Sequence, residues 1–210
     1  MNYTSKGKLK IFTSYTPGAG KSYAMLSYAL KNDNVLIGFL NDSHRNTNQL
    51  LLDHGIKPAD YSTYSLREII KENPDVVVMD EMGMRGKNRD RKSYIYSDID
   101  RLLRCGIDVY TSLNIKRFES ANPLFKDITG IGIRRTVPDK YLELADEIIF
   151  VDRSPKTMLD YFKNNGLFDE KYMKSKIMRK NFRIETLEAY RTISLEILEK
   201  YNKKTKIEKR

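Results

Sequence analysis

The feature that most restricts this chain is a glycine turn lying between two different hydrophobic periods. Leu9, Ile11 and Phe12 form an apolar, β-prone run that breaks at Pro17-Gly18-Ala19-Gly20 and restarts with helical spacing at Tyr23, Leu26, Ala29 and Leu30. The pattern predicts a strand, a turn and a helix whose first residues are Lys21 and Ser22. Such a turn aims several backbone N–H groups, together with the positive end of a helix dipole, at one point in space, and that suits a polyphosphate. Glycine is required because the turn uses positive φ and because a Cβ would block the approach.

On this reading Lys21 reaches the β- and γ-phosphates and the Ser22 hydroxyl ligates Mg²⁺, as in a Walker A loop. The stretch expected to hold nucleotide is Pro17, Gly18, Ala19, Gly20, Lys21, Ser22 and Tyr23. The match to G-x-x-x-x-G-K-[ST] is irregular, since its first glycine would fall at Tyr15 and the extra glycine is Gly18. The competing reading is an ordinary strand–turn–helix with a chance Gly-Lys-Ser.

A second stretch complements the first. Asp75-Val76-Val77-Val78-Met79-Asp80-Glu81 is an apolar strand that delivers two adjacent carboxylates at its end, the Walker B arrangement. Consecutive strand side chains point to opposite faces, so the two carboxylates take different work. Asp80 is assigned to the metal, and Glu81 to orienting or deprotonating a nucleophile. The bland alternative is a strand that ends in a solvated acidic turn.

The remaining segments fit around these two. Val35-Leu36-Ile37-Gly38-Phe39-Leu40 reads as a strand buried on both faces, followed by the polar loop Asn41-Asp42-Ser43-His44-Arg45, in which Arg45 either meets phosphate or is an ordinary solvent-exposed arginine. Helices are predicted from Thr47 to Asp53, from Leu66 to Lys71 with Ser65 as N-cap, and from Tyr94 to Arg104 with Gly106 as the C′ residue. Ile107 to Asn114 reads as a strand ending in polar residues at the crevice edge. Ile131 to Val137 and Glu147 to Val151 are two further β segments, with a short helix started by Pro138-Asp139 between them. After the acidic pair Asp80-Glu81, Met84 to Lys92 carries five Lys/Arg and one Asp, either a solvated loop or a lid. Strands alternating with helices imply an α/β fold of P-loop type, three αβα layers around a mostly parallel sheet, followed by C-terminal helices.

Composition narrows the class. No run approaches the roughly 18 apolar residues of a membrane span, and the N-terminus lacks a secretory apolar region, which predicts a cytoplasmic protein. One cysteine, Cys105, excludes an internal disulfide and reads as a small buried hydrophobe at a helix end. Two histidines, His44 and His54, do not support a zinc site. Of the net charge of +10, an excess of eight lies in residues 171–210, where 13 Lys/Arg face 5 Asp/Glu. The expected division is therefore a nucleotide-binding α/β domain over 1–153 and a basic helical extension over 154–210 packed on it.

Several strings carry a family resemblance: Gly7-Lys8-Leu9-Lys10-Ile11-Phe12 leading into Pro17 through Leu26, Met79-Asp80-Glu81, Gly106 through Asn114, Phe118-Glu119-Ser120-Ala121-Asn122, Arg135-Thr136-Val137-Pro138-Asp139, Ala145-Asp146-Glu147 and Val151-Asp152. In order over about residues 5–200, the chain resembles the N-terminal cytoplasmic domain of KdpD-type potassium-responsive sensor histidine kinases. That family's loop also has its first glycine one place early, where this chain has Ser14, so the irregular motif is shared. The resemblance implies an ATP-binding regulatory domain in potassium or osmotic signalling. In the family this domain is part of a longer protein with membrane helices and a histidine kinase core. Neither fits in 210 residues, so histidine-kinase activity is not carried over.

The departures from the family's pattern fall at polar positions. Its Glu-Thr-His-Gly-Arg is Asn41-Asp42-Ser43-His44-Arg45 here, the His after its Walker B carboxylates is Met84, the neighbouring Thr-Asn-Ala-Pro-Gly is Arg85-Gly86-Lys87-Asn88-Arg89, and its Gln-His is Lys116-Arg117. Groups suited to positioning a substrate have become cations, which ATP binding tolerates better than a specific phosphotransfer does.

Toward the C-terminus, Met158, Leu159 and Phe162 mark a helix closed by Gly166, and a longer amphipathic pattern runs from Phe182 to Tyr201, its apolar face packed on the domain or on a second copy. Lys203 to Arg210 is expected to fray, and nothing in it marks a nucleic-acid interface. The reading is thus an ATP·Mg²⁺-binding regulatory module, with an atypical phosphotransferase or weak ATPase as its catalytic form. The partners expected are the nucleotide, another signalling or potassium-transport protein, and a second copy of the chain as a homodimer. The rivals are a non-catalytic interaction module with nucleotide as structural ligand, and a small-molecule P-loop kinase.

Overall fold

The computed structural model of the 210-residue chain describes residues 6–41, 45–57, 61–89, 92–130, 132–164 and 182–210. The glycine turn does separate a strand from a helix: β1 (Leu9–Ser14) enters it and α1 (Lys21–Ala29) leaves it. Next come β2 (Val35–Phe39), α2 (Arg45–Asp53), α3 (Leu66–Glu72) and β3 (Val76–Met79). A two-strand hairpin, β4 (Arg85–Gly86) and β5 (Ser93–Tyr94), leads into α4 (Ile95–Arg104) and β6 (Asp108–Asn114). Then follow α5 (Ala121–Thr129), α6 (Lys140–Leu144), β7 (Glu147–Asp152), α7 (Pro155–Asn164), α8 (Ile184–Glu199) and β8 (Thr205–Lys209).

Six strands form one parallel sheet in the order β2-β3-β6-β1-β7-β8, flanked by helices. The α/β expectation with a parallel sheet holds. The inner strands are apolar without alternation because both of their faces are covered: all four residues of β3 are buried, and so are five of the six in β7. Each buried Val, Ile or Phe of this set contributes about 1.5–3 kcal/mol. α1 packs across β1, β3 and β6, where Phe12 meets the edge of Tyr28 with ring centroids 5.3 Å apart.

The topology positions everything that matters. Because β6 inserts between β3 and β1, the carboxyl ends of β3, β6 and β1 stand side by side, with Met79 opposite Thr111 and Asn114 opposite Ser14. In parallel open sheets that edge is where ligands bind.

Local signals explain most boundaries. Ser65 accepts the Glu68 N–H at 3.3 Å and caps α3 as expected. Gly106, at φ 81°, follows α4, and Cys105 sits partly buried at that helix end. Two expectations fail. Ile131 to Val137 is not a strand: in its described part only Val137 bridges, to Phe118. The tail expected to fray instead forms β8, which pairs with β7 from Ile148↔Thr205 to Asp152↔Lys209. α5 was not foreseen. Gly166, Asp42, Ser43, His44, Asp90 and Arg91 lie outside the described residues, as does the side chain of Arg45.

The C-terminal helix α8 packs on α5 and α7, burying Leu187, Tyr190, Ile197 and Leu198. Among the described residues no helix is long and apolar enough to cross a membrane.

Candidate functional site

The turn from β1 to α1 is held open by two left-handed glycines, Gly18 at φ 75° and Gly20 at φ 97°. Gly20 is also the N-cap residue of α1, with no side chain of its own to cap the helix, so the first N–H groups of the helix face outward. At Gly20 a Cβ would meet nothing closer than 3.8 Å, so conformation rather than crowding is what requires glycine there.

Tyr15, where the usual motif has glycine, turns into the core. Its ring lies 6.5 Å from that of Phe150, and its hydroxyl donates to the Arg153 carbonyl at 2.6 Å. Burial, then the nearby Asp152 carboxylate, push its phenol pKa well up, so it remains a donor. The tyrosine therefore anchors the start of the loop to the end of β7.

Asp80 is the centre of the arrangement. It is 1% exposed and gathers donors from three elements: Ser22 Oγ from α1 at 3.1 and 3.2 Å, Ser112 Oγ from β6 at 2.5 Å, and the Asn41 N–H after β2 at 3.4 Å. The two residues assigned to a metal, Ser22 and Asp80, are thus in direct contact across 58 positions of sequence.

Glu81 follows in the left-handed region at φ 46°, a conformation that non-glycine residues rarely take, so the chain turns sharply there. Its N–H donates to Ser112 Oγ at 3.4 Å. Burial raises the Glu81 pKa above the usual carboxylate range; Lys21 and Arg117 oppose the rise and Asp80 adds to it. Lys21 itself is 7% exposed. Lys116 stands near enough to feel it: burial first, then repulsion from Arg117 and Lys21, lowers the Lys116 pKa to about 8.

The glycine turn, Lys21, Ser22, Asn41, Asp80 and Glu81 line an open cleft of about 550 Å³. Of the residues expected to hold a ligand, Pro17, Gly18, Gly20, Lys21, Ser22, Tyr23, Asp80 and Glu81 line it, while Ala19 is buried in the core beneath. α2 supplies Asn46, Thr47, Gln49, Leu50 and Asp53 along one wall. Arg153, Tyr161 of α7 and Arg210 beyond β8 supply another. The described residues of the basic loop do not line the cleft: Arg89 pairs with Glu68 of α3, and Arg85 lies 5.6 Å over the Tyr94 ring.

Sequence reasoning missed Ser112, which was visible only as a polar residue at a strand end, and Arg153, Tyr161 and Arg210, for which no local signal exists. A metal there would meet one carboxylate and one hydroxyl, both hard oxygen donors. That suits Mg²⁺, which keeps waters and phosphate oxygens in its shell rather than demanding a protein cage.

Comparison with known proteins gives a consistent family. The model of the osmosensitive K⁺ channel His kinase sensor domain, KdpD, matches residues 5–200. The sensor protein KdpD of Clostridium acetobutylicum is 32% identical over 206 residues, which is 91% of this chain and 23% of that protein. The sensor protein KdpD of Escherichia coli K12 is 29% identical over 176 residues, 78% of this chain and 20% of that protein. The Mycobacterium tuberculosis H37Rv sensor protein KdpD is 26% identical over 205 residues, 91% of this chain and 24% of that protein. The chain therefore spans about a quarter or less of the length of these three relatives.

Proposed function

The chain belongs to the KdpD sensor-domain family, and on that premise we propose that it binds a nucleoside triphosphate with Mg²⁺, ATP in the first instance, as a regulatory module of potassium or osmotic two-component signalling. The observation that carries the reading is the contact between Ser22 and Asp80 at 3.1 Å, beside a buried Lys21 and a loop opened by two left-handed glycines. Gly18, Gly20 and Lys21 hold phosphates, and Ser22 and Asp80 hold the metal. Signalling then consists of presenting the loaded and empty forms differently to another signalling or potassium-transport protein on the cytoplasmic side.

The test is a titration with ATP, ADP and GTP, with and without Mg²⁺, on the wild type and Lys21→Ala. The expected result is Mg²⁺-dependent binding of the triphosphate that the substitution removes. No affinity for any of the three nucleotides rejects the proposal.

Turnover is a separate question, and Glu81 is the residue to ask it of. A carboxyl whose pKa is raised by burial is a better base near neutrality than an exposed one. Incubation with γ-labelled ATP distinguishes the outcomes: label on a protein marks a phosphotransferase, label in free phosphate marks an ATPase, and unchanged ATP leaves a binding module. If Glu81 activates the acceptor or water, Glu81→Gln abolishes turnover and spares binding.

A further inference from the structure

The cleft has a wall that the nucleotide reading does not yet use. It is built by the C-terminal segment: β8 runs along β7, and just beyond it the Arg210 N–H donates to the Asp152 carbonyl at 2.9 Å, which fixes the backbone at the carboxyl edge of the sheet. From there the Arg210 side chain returns over the glycine turn. Its guanidinium lies 5.1 Å above the ring of Tyr23, the residue that follows Ser22. Its Nη1 lies 3.8 Å from the position a Cβ on Gly20 would take.

The other edge of the same guanidinium is held from behind. Nε donates to Glu208 Oε1 at 2.6 Å and Nη2 forms an ion pair with the same oxygen at 2.5 Å, so the Nη1 edge is the one turned to the loop. Glu208 in turn acts on Tyr28 of α1, whose phenol pKa is raised by burial and then by that carboxylate. The C-terminal segment thus meets the helix of the glycine turn through a cation over Tyr23, and the Glu208 carboxylate acts on Tyr28 of the same helix. Arg153 stands on the same wall, its Nε buried without a hydrogen-bond partner.

β8 is also weakly held for a strand of the sheet. It is an edge strand, three of its five side chains are exposed, and Ile207 is 54% exposed. Little apolar burial fixes it, so its docking rests on the ladder to β7 and on pairs such as Lys206 with Glu147. An element of that kind opens at low cost, and a contact made through it changes how often it does so.

Resting on the nucleotide reading of this cleft, we propose that Arg210 is a phosphate ligand delivered by the C-terminal strand, so that docking of β8 and occupancy by a nucleoside triphosphate reinforce each other. A planar guanidinium with one edge braced by a carboxylate and the other turned to a phosphate loop is pre-organised for a polyanion. By linkage, whatever factor docked β8 adds to nucleotide affinity, nucleotide adds to the docking of β8.

The experiment pairs two readouts on the full chain: titration with ATP·Mg²⁺, and amide hydrogen exchange over Thr205–Lys209. Arg210→Ala is expected to bind ATP·Mg²⁺ about tenfold more weakly, as loss of a charge-assisted contact implies, with Arg210→Lys in between. In the wild type, ATP·Mg²⁺ is expected to slow exchange in Thr205–Lys209, and in Arg210→Ala it does not. Equal affinity of wild type and Arg210→Ala, with Lys21→Ala still losing binding, overturns this inference and leaves the nucleotide reading standing. So does exchange in β8 that ignores the nucleotide. A wild type without affinity for ATP·Mg²⁺ removes both.

Discussion

Ser112 shows how one small side chain can hold a carboxylate and the backbone of the residue after it. Its hydroxyl donates to Asp80 at 2.5 Å and accepts the Glu81 N–H at 3.4 Å, so it pins the turn between strand end and crevice. Ser112→Ala leaves a 1% exposed carboxylate one donor short, and is expected to lower stability by about 1–2 kcal/mol in urea unfolding. An unchanged midpoint would mean that the pin is dispensable. Lys116 gives the pH counterpart. Its folded pKa of about 8 lies below the ordinary 10.5, so the unfolded chain holds more protons between those values and stability rises with pH across that window. Below about pH 8 the charge is fully present and opposes folding. Lys116→Met is therefore expected to raise the Tm at pH 7 and to lose most of that advantage by pH 10, which melts at the two values check. The sequence names Lys116 as a cation in a polar position of the family, with Arg117 beside it; the burial that depresses it most, and the approach of Lys21, arise only in the fold.

At the level of elements, legibility followed periodicity. α1, α3, α4 and β3 are readable because cap, turn and apolar spacing agree within each segment. The long C-terminal pattern is α8 for the same reason. α5 escaped because Pro123 falls inside it; within the first turn the missing N–H costs no intrahelical bond, so the helix tolerates it. β8 escaped for a different reason. Thr205-Lys206-Ile207-Glu208-Lys209 places its one aliphatic residue, Ile207, toward solvent, so its strand character comes from the neighbouring ladder and not from its own sequence. What fastens this region is also non-local: Arg191 of α8 grips Asp152 at the end of β7 through Nε at 2.7 Å and Nη2 at 2.6 Å. Burial of Asp152 makes the pair matter, although the partly exposed arginine discounts it. Arg191→Ala is expected to cost about 1–2 kcal/mol in guanidinium unfolding. A smaller loss than that of an exposed pair such as Lys140–Asp100 would show that the clamp is not structural.

On the scale of the whole molecule, the two lysines of β8 have a structural use at one sheet edge. β7 carries Ile148-Ile149-Phe150-Val151, all buried, and without β8 it would present that run as an open edge. A long apolar edge strand is a template for pairing with another chain, whereas short, lysine-bearing strands such as β8 resist it. Lys206 and Lys209 are exposed on β8, and Lys206 pairs with Glu147 across the ladder, so the charge that reads in sequence as a solvated tail acts in the fold as the guard of the sheet. The consequence is measurable on a chain ended after Lys204, which lacks β8 and Arg210. Its weight-average mass in sedimentation equilibrium should rise with concentration more steeply than that of the full chain, and its aggregation on mild heating should be faster. Adding a charge to the uncovered strand, as in Phe150→Lys, would disrupt the core and does not test the idea. A better control is Ile207→Lys in the full chain, which alters an exposed side chain while leaving the cover in place, and should leave association unchanged. If the shortened chain sediments as the full chain does, β7 is protected by something other than β8, and the basic C-terminal strand matters only through its contact with the glycine turn.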